Sequence, residues 1–148
     1  MIFMGIFITQ ATSIELTDSP ECPQAREKTP KAPDAVYKKI NPLEKTSKNI
    51  KKGKLLYMVK AKTIQCKHCH GISGDGLGNM APESFPNPRN FACTDTMNQI
   101  TDGQIFWAIT NGISHTSMPS YDNLSEKQIW QLVMYIRQFS SKQENIND

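Results

Sequence analysis

Cys66-Lys67-His68-Cys69-His70 is the stretch from which the fold can be read. Two thiols three residues apart lie on one side of a helical turn. From there they can add across the two vinyl groups of one porphyrin. His70 follows at once and can supply a nitrogen to the iron. Cys-x-x-Cys-His in this order is the attachment signature of a c-type haem.

Two other chemistries use the same residue types. A zinc site could draw four ligands from Cys66, Cys69, His68, His70, Cys93 and His115. It lacks a second knuckle at matching spacing, because Cys93 and Cys22 stand alone. A thioredoxin-like pair expects a strand–helix alternation around the motif, and none is visible. His68 lies between the two thiols, where its ring should point away from the haem and into solvent.

A haem with one protein ligand binds or activates small molecules, whereas a second strong ligand makes it an electron carrier. Met118-Pro119-Ser120-Tyr121 offers a thioether. The segment before it, residues 111–117, is small, polar and Gly-containing and reads as a loop. Pro119 would stiffen the backbone beside Met118. His115 is the rival ligand, and a bis-His site would have a lower potential. Met80 and Met97 read as loop residues, Met58 and Met134 as helix-face core.

The haem motif, the loop ending in Met118-Pro119 and a C-terminal amphipathic helix together resemble the class I cytochrome c family. The small monohaem cytochromes of bacterial respiratory chains are the most similar, over residues 47–141. The resemblance implies an all-α fold, about four helices around one covalently bound haem c, with His70 and Met118 as axial ligands of the iron. It implies that Gly53 and Tyr57, four apart, let the first helix cross closely over the last. It also implies that a loop proline carbonyl, with Pro82 and Pro86 leading, accepts a hydrogen bond from the other nitrogen of His70.

Ser47 can cap the first helix, whose apolar side would comprise Ile50, Leu55, Tyr57, Met58 and Val59. Thr101-Asp102-Gly103-Gln104 and Ser125-Glu126-Lys127-Gln128 are capping boxes. The first opens a short apolar helix, residues 105–110, stopped by Asn111-Gly112. The second opens the best-patterned helix, with Ile129, Leu132, Val133 and Ile136 at i, i+3, i+4 and i+7. Four glycines between Gly71 and Gly78 suggest a backbone passing close to a flat cofactor. Arg89 could neutralise a haem propionate, or be a solvated loop cation. Trp107 could donate its indole N–H to a propionate, or pack in the core.

The chain has 148 residues, enough for one domain. Residues 1–13 look like the end of a secretory signal, an apolar run closed by Ala11-Thr12-Ser13, although an ordinary apolar N-terminus reads the same way. Residues 14–46 hold five of the nine prolines and read as an extended arm, pinned by Val36, Tyr37, Ile40 and Leu43. Residues 142–148 are polar and read as a frayed tail. No segment looks like a transmembrane helix in the mature chain. The family's chemistry implies export to a periplasmic or equivalent compartment. There an oxidising medium would pair the two cysteines left over, Cys22 with Cys93.

Of the 17 Lys and Arg, 12 precede Cys66, against 6 of the 14 acids. The basic half lacks the interleaved aromatics or groove-reading helix of a nucleic-acid binder. Its charge suits steering towards redox proteins, donor and acceptor, with acidic docking surfaces. Nothing resembles a catalytic acid–base pair, so the expected role is that of a single-electron carrier, not an enzyme. Two alternatives stand beside it. One is a haem subunit fixed in a larger respiratory oxidoreductase. The other, if Met118 is not a ligand, is a peroxidase or gas-binding haem protein.

Overall fold

The longest helix grows from the best-patterned stretch. The computed structural model describes residues 22–24, 29–61 and 64–141, and among them there is no strand. Helices α1 (Asp34–Tyr37), α2 (Ser47–Leu55), α3 (Cys66–His70), α4 (Thr94–Met97), α5 (Asp102–Asn111) and α6 (Glu126–Ser141) follow in order. The architecture is all-α, with six α-helices among the described residues where the sequence suggested about four. The extra two, α1 and α4, are single turns too short to show a periodicity. Residues 1–21 and 142–148, which hold the expected signal and tail, lie outside the described part.

Helix α6 opens with a reciprocal cap: the Ser125 amide donates to Gln128 Oε1 at 2.9 Å, and the Gln128 amide to Ser125 Oγ at 3.3 Å. Its Ile129, Leu132, Val133 and Ile136 are buried in the core with Tyr57 and Met97. Met97 is thus a core residue on α4, not a loop methionine. Helix α5 is capped by Thr101, whose hydroxyl accepts from the Gln104 amide at 3.1 Å. It stops at Gly112, where φ is 67°, a left-handed conformation that glycine tolerates best.

Helix α2 is capped by Thr46, one residue before the expected Ser47; Thr46 is extended and its hydroxyl accepts from the Asn49 amide at 3.2 Å. Gly53 lies against the backbone of α6. A Cβ there would sit 2.0 Å from the Gln131 carbonyl oxygen. Beyond Leu55 the chain widens into a π-helical turn, Leu56–Lys60. Leu56 and Tyr57, three and four residues beyond buried Gly53, face inward, whereas Leu55 and Val59 are exposed, although both were expected on the apolar side. Tyr57 packs against Tyr135 and Phe139 with ring centroids 5.4 and 5.3 Å away.

The described part of the arm lies along the domain and is pinned mainly by polar groups. Thr101 Oγ1 donates to the Tyr37 carbonyl at 2.7 Å and Asn41 Nδ2 to the Trp130 carbonyl at 2.9 Å. Buried Gln104 accepts from the Ala32 amide at 2.8 Å and donates to the Pro30 carbonyl at 3.1 Å. Val36 and Leu43 pack against the core, whereas Ile40 is 83% exposed and pins nothing. Cys22 is disulfide-bonded to Cys93, with Cα atoms 5.4 Å apart. Arg137 of α6 joins Asp102 at 2.8 Å and donates to the Met97 and Ile100 carbonyls, tying α4 and α5 to the last helix.

Candidate functional site

Five residues make a poor helix by themselves, because nucleation costs more than one turn returns. Helix α3 persists because the next loop satisfies its free carbonyls. The Gly71 amide donates to the Lys67 carbonyl at 2.9 Å and the Met80 amide to His68 at 2.7 Å. The Gly78 and Gly76 amides donate to Cys69 and His70, each at 3.0 Å. This is the work of the glycine-rich segment. No residue from 71 to 78 lines the cavity described next, so the expected approach to a flat cofactor is not its role. A Cβ at Gly78 would lie 2.1 Å from the His68 carbonyl oxygen.

Cys66, Cys69, His70 and Met118 line one cavity of about 630 Å³. Most of its wall is apolar, with Ile64, Phe91, Ile105, Ile109 and Ile136 among its residues. Its size and character suit a large, mostly apolar ligand. The Cys66 thiol is pushed up to about 12 by burial, so it is a neutral thiol here. Cys69 Sγ accepts a weak bond from Ser84 Oγ at 3.8 Å.

Burial pulls His70 down to about 4, so its imidazole is neutral near pH 7. Its Nδ1 lies 3.0 Å from the Arg89 carbonyl oxygen. A carbonyl can only accept, so the proton is on Nδ1 and the Nε2 lone pair is left for another partner. The ring stacks on Phe91 at 4.3 Å and 18°. The carbonyl in this role belongs to Arg89, not to Pro82 or Pro86. The Phe91 and Ala92 amides donate to the Gly74 carbonyl, which holds this segment beside α3. Pro82 is exposed on a 3₁₀ turn, Ala81–Glu83. His68 pairs through Nδ1 with Asn79 Oδ1 at 2.8 Å and does not line the cavity.

The Met118 loop is held by the chain around it. The Ile113 amide donates to the Met118 carbonyl at 3.2 Å, and the Met118 amide to Thr116 Oγ1 at 3.1 Å. Ser117 and Phe85 exchange two hydrogen bonds of 3.0 Å each. Among the described residues Met118 is the one methionine in the cavity wall. His115 is exposed, with φ of 62°, and does not line it. Arg89 does, and its guanidinium lies 3.4 Å from Thr29 Oγ1.

Trp107 does not line the cavity, so a propionate contact from its indole has no support here. The reason is helical phase: Ile105, Ala108 and Ile109 face inward, and Trp107 stands about 200° from Ile105. Sequence reading missed Gln104, read only as the end of a capping box, and Tyr121, whose hydroxyl donates to the Ile64 carbonyl at 2.6 Å. Zinc fits poorly: among the described residues no three His, Cys, Asp or Glu side chains gather to hold a metal ion, and Cys93 is taken by the disulfide. A covalent haem fits. Two thiols on one turn, an imidazole with a free nitrogen, a thioether and an apolar wall share one cavity.

The family model described as Cytochrome c matches residues 50–140. No curated protein matches the chain. Among solved structures, a chain of the Kuenenia stuttgartiensis reducing HAO-like protein complex is similar, with a TM-score of 0.57 and 28% identity over 66% of this chain. The match spans 46% of that longer chain.

Proposed function

Because the chain belongs to the cytochrome c family, whose members hold haem c covalently, we propose that it carries single electrons on a haem ligated by His70 and Met118. Cys66 and Cys69 would form the thioethers. When bound, the haem supplies an iron that alternates between ferrous and ferric. The protein's part is to keep that change cheap. His70 is held from behind by the Arg89 carbonyl and from the side by Phe91, so its ring need not move. Met118 is braced by the Thr116 and Ile113 bonds. A thioether favours the reduced iron and raises the potential, and the apolar wall excludes water.

The observation that carries this reading is that Met118 shares the cavity wall with His70 while His115 does not. The test is the ferric spectrum of the holoprotein and of Met118→Ala. We expect the methionine–iron charge-transfer band in the first. In the variant we expect its loss, a lower potential and binding of carbon monoxide. An unchanged variant spectrum with no carbon monoxide binding would overturn the ligand.

The Cys22–Cys93 disulfide supports an exported, periplasmic or equivalent location, since such bonds persist outside the reducing cytosol. Among the described residues no helix is long and apolar enough to cross a membrane. Partners would be redox proteins, with acidic docking surfaces suited to the basic half of the chain. The similarity to part of a longer chain in a protein complex favours a second reading, a haem subunit held within a larger oxidoreductase. Sizing of a native extract separates it from a free shuttle.

A further inference from the structure

The cavity wall is not built by the family-matched region alone. Gln24, Thr29, Lys31 and Tyr37 also line it, and all four belong to the arm that precedes residue 50. Among the described residues, the cationic side chains in the wall are Lys31 and Arg89, and no carboxylate lines it. Arg89 reaches Thr29 at 3.4 Å, two residues from Lys31.

Lys31 is placed there by its backbone. Gln104 grips the chain on both sides of it, through the Pro30 carbonyl and the Ala32 amide. Ala32 is buried, and Val36 comes so near α5 that a Cβ at Gly103 would lie 1.9 Å from its carbonyl oxygen. Gln24 adds a second tie, donating to the Pro88 carbonyl at 2.9 Å and accepting from the Asn90 amide at 2.8 Å. The Lys31 side chain itself is 62% exposed and paired with Asp34 at 2.8 Å. A solvated pair of this kind is weak and can share its cation with another anion.

We propose that the arm closes the carboxylate end of the haem site, with Lys31 and Thr29 of the arm and Arg89 of the domain receiving the two propionates. This rests on the haem reading above. Gln104 is then a positioning residue: it holds the segment that presents Lys31. A cation at this end offsets the negative charge of the reduced, propionate-bearing group, so its loss should favour the ferric state.

The test uses the holoprotein and Lys31→Met, Lys31→Glu, Lys31→Arg and Asp34→Asn. The midpoint potential should fall in Lys31→Met, fall about twice as far in Lys31→Glu because the charge change doubles, and hold in Lys31→Arg. It should rise in Asp34→Asn, which releases the ammonium. The propionate bending mode in resonance Raman should shift in Lys31→Met and return in Lys31→Arg, which a merely structural role would not produce. One potential and one propionate mode across the whole series would overturn the proposal. The methionine–iron band of the same samples reads the axial ligand separately, so failure of the arm and failure of the ligand assignment are distinct results.

Discussion

His70 Nδ1 lies 3.0 Å from the carbonyl oxygen of Arg89, a backbone atom 19 residues further along the chain. A backbone acceptor does not titrate and does not rotate away. It fixes both the tautomer and the ring plane of the imidazole, which Phe91 completes by stacking at 4.3 Å. Orientation of this kind, set from outside the ligand, tunes how strongly the ring nitrogen donates.

Phe91→Ala should therefore act twice. Phe91 is buried between His70 and Phe139, so truncation should cost about 3 kcal/mol or more. The freed ring should also broaden the axial-ligand resonances in the holoprotein's NMR spectrum. Denaturant unfolding measures the first effect. A loss below about 1 kcal/mol would show that the stack contributes little.

Gly53→Ala sets two effects against each other. Alanine should gain about 1 kcal/mol of helix propensity, but its Cβ would sit 2.0 Å from the Gln131 carbonyl oxygen. Backbone cannot yield as a flexible side chain can, so α2 and α6 must separate. Overpacking of this kind costs about 1–3 kcal/mol, and the net outcome should be destabilising. A more stable variant in urea would mean that the helices cross less tightly than this.

The Cys22–Cys93 bond closes a separation of 71 residues. On the chain-entropy model that constrains the unfolded state by about 4 kcal/mol. The double variant Cys22→Ser/Cys93→Ser should lose stability of this order. Unfolded, unreduced holoprotein should show no titratable thiol, its other two cysteines being in thioethers. Two free thiols would sink the assignment.

Alkaline stability should depend on Tyr57. Its hydroxyl donates to the Gly71 carbonyl at 2.8 Å, and burial raises it well above the ordinary value of 10.0. The folded state thus holds the phenolic proton where the unfolded state has released it. This contribution is present in full below pH 10 and is lost as the pH climbs from there towards the raised folded value. Tyr121 is raised by the same cause. Tyr57→Phe should lower stability at pH 7 by about 1–2 kcal/mol, through the unsatisfied carbonyl, and flatten the decline above pH 10. An equally steep decline in the variant would assign it to other groups.

Local chemistry was legible in the sequence because it depends on residues a few positions apart. The Cys66–His70 turn, the caps at Thr101 and Ser125, the stop at Gly112 and the buried stripe of α6 all follow from backbone geometry within a turn or two. The all-α class followed from the same patterns. Tertiary structure decided what depends on long-range approach of groups with no side-chain signature. The acceptor for His70 is a carbonyl, and every residue has one, so no reading of Pro82, Pro86 and Arg89 by type could choose among them. The close approach of Gly53 to α6 set which apolar residues of the first helix face inward, and helical phase turned Trp107 away from the cavity. The glycines of residues 71–78 serve α3, and Gln104 holds the chain around Lys31 from more than 70 residues away. These are contacts of packing and of backbone amides. They exist only once the helices have been brought together.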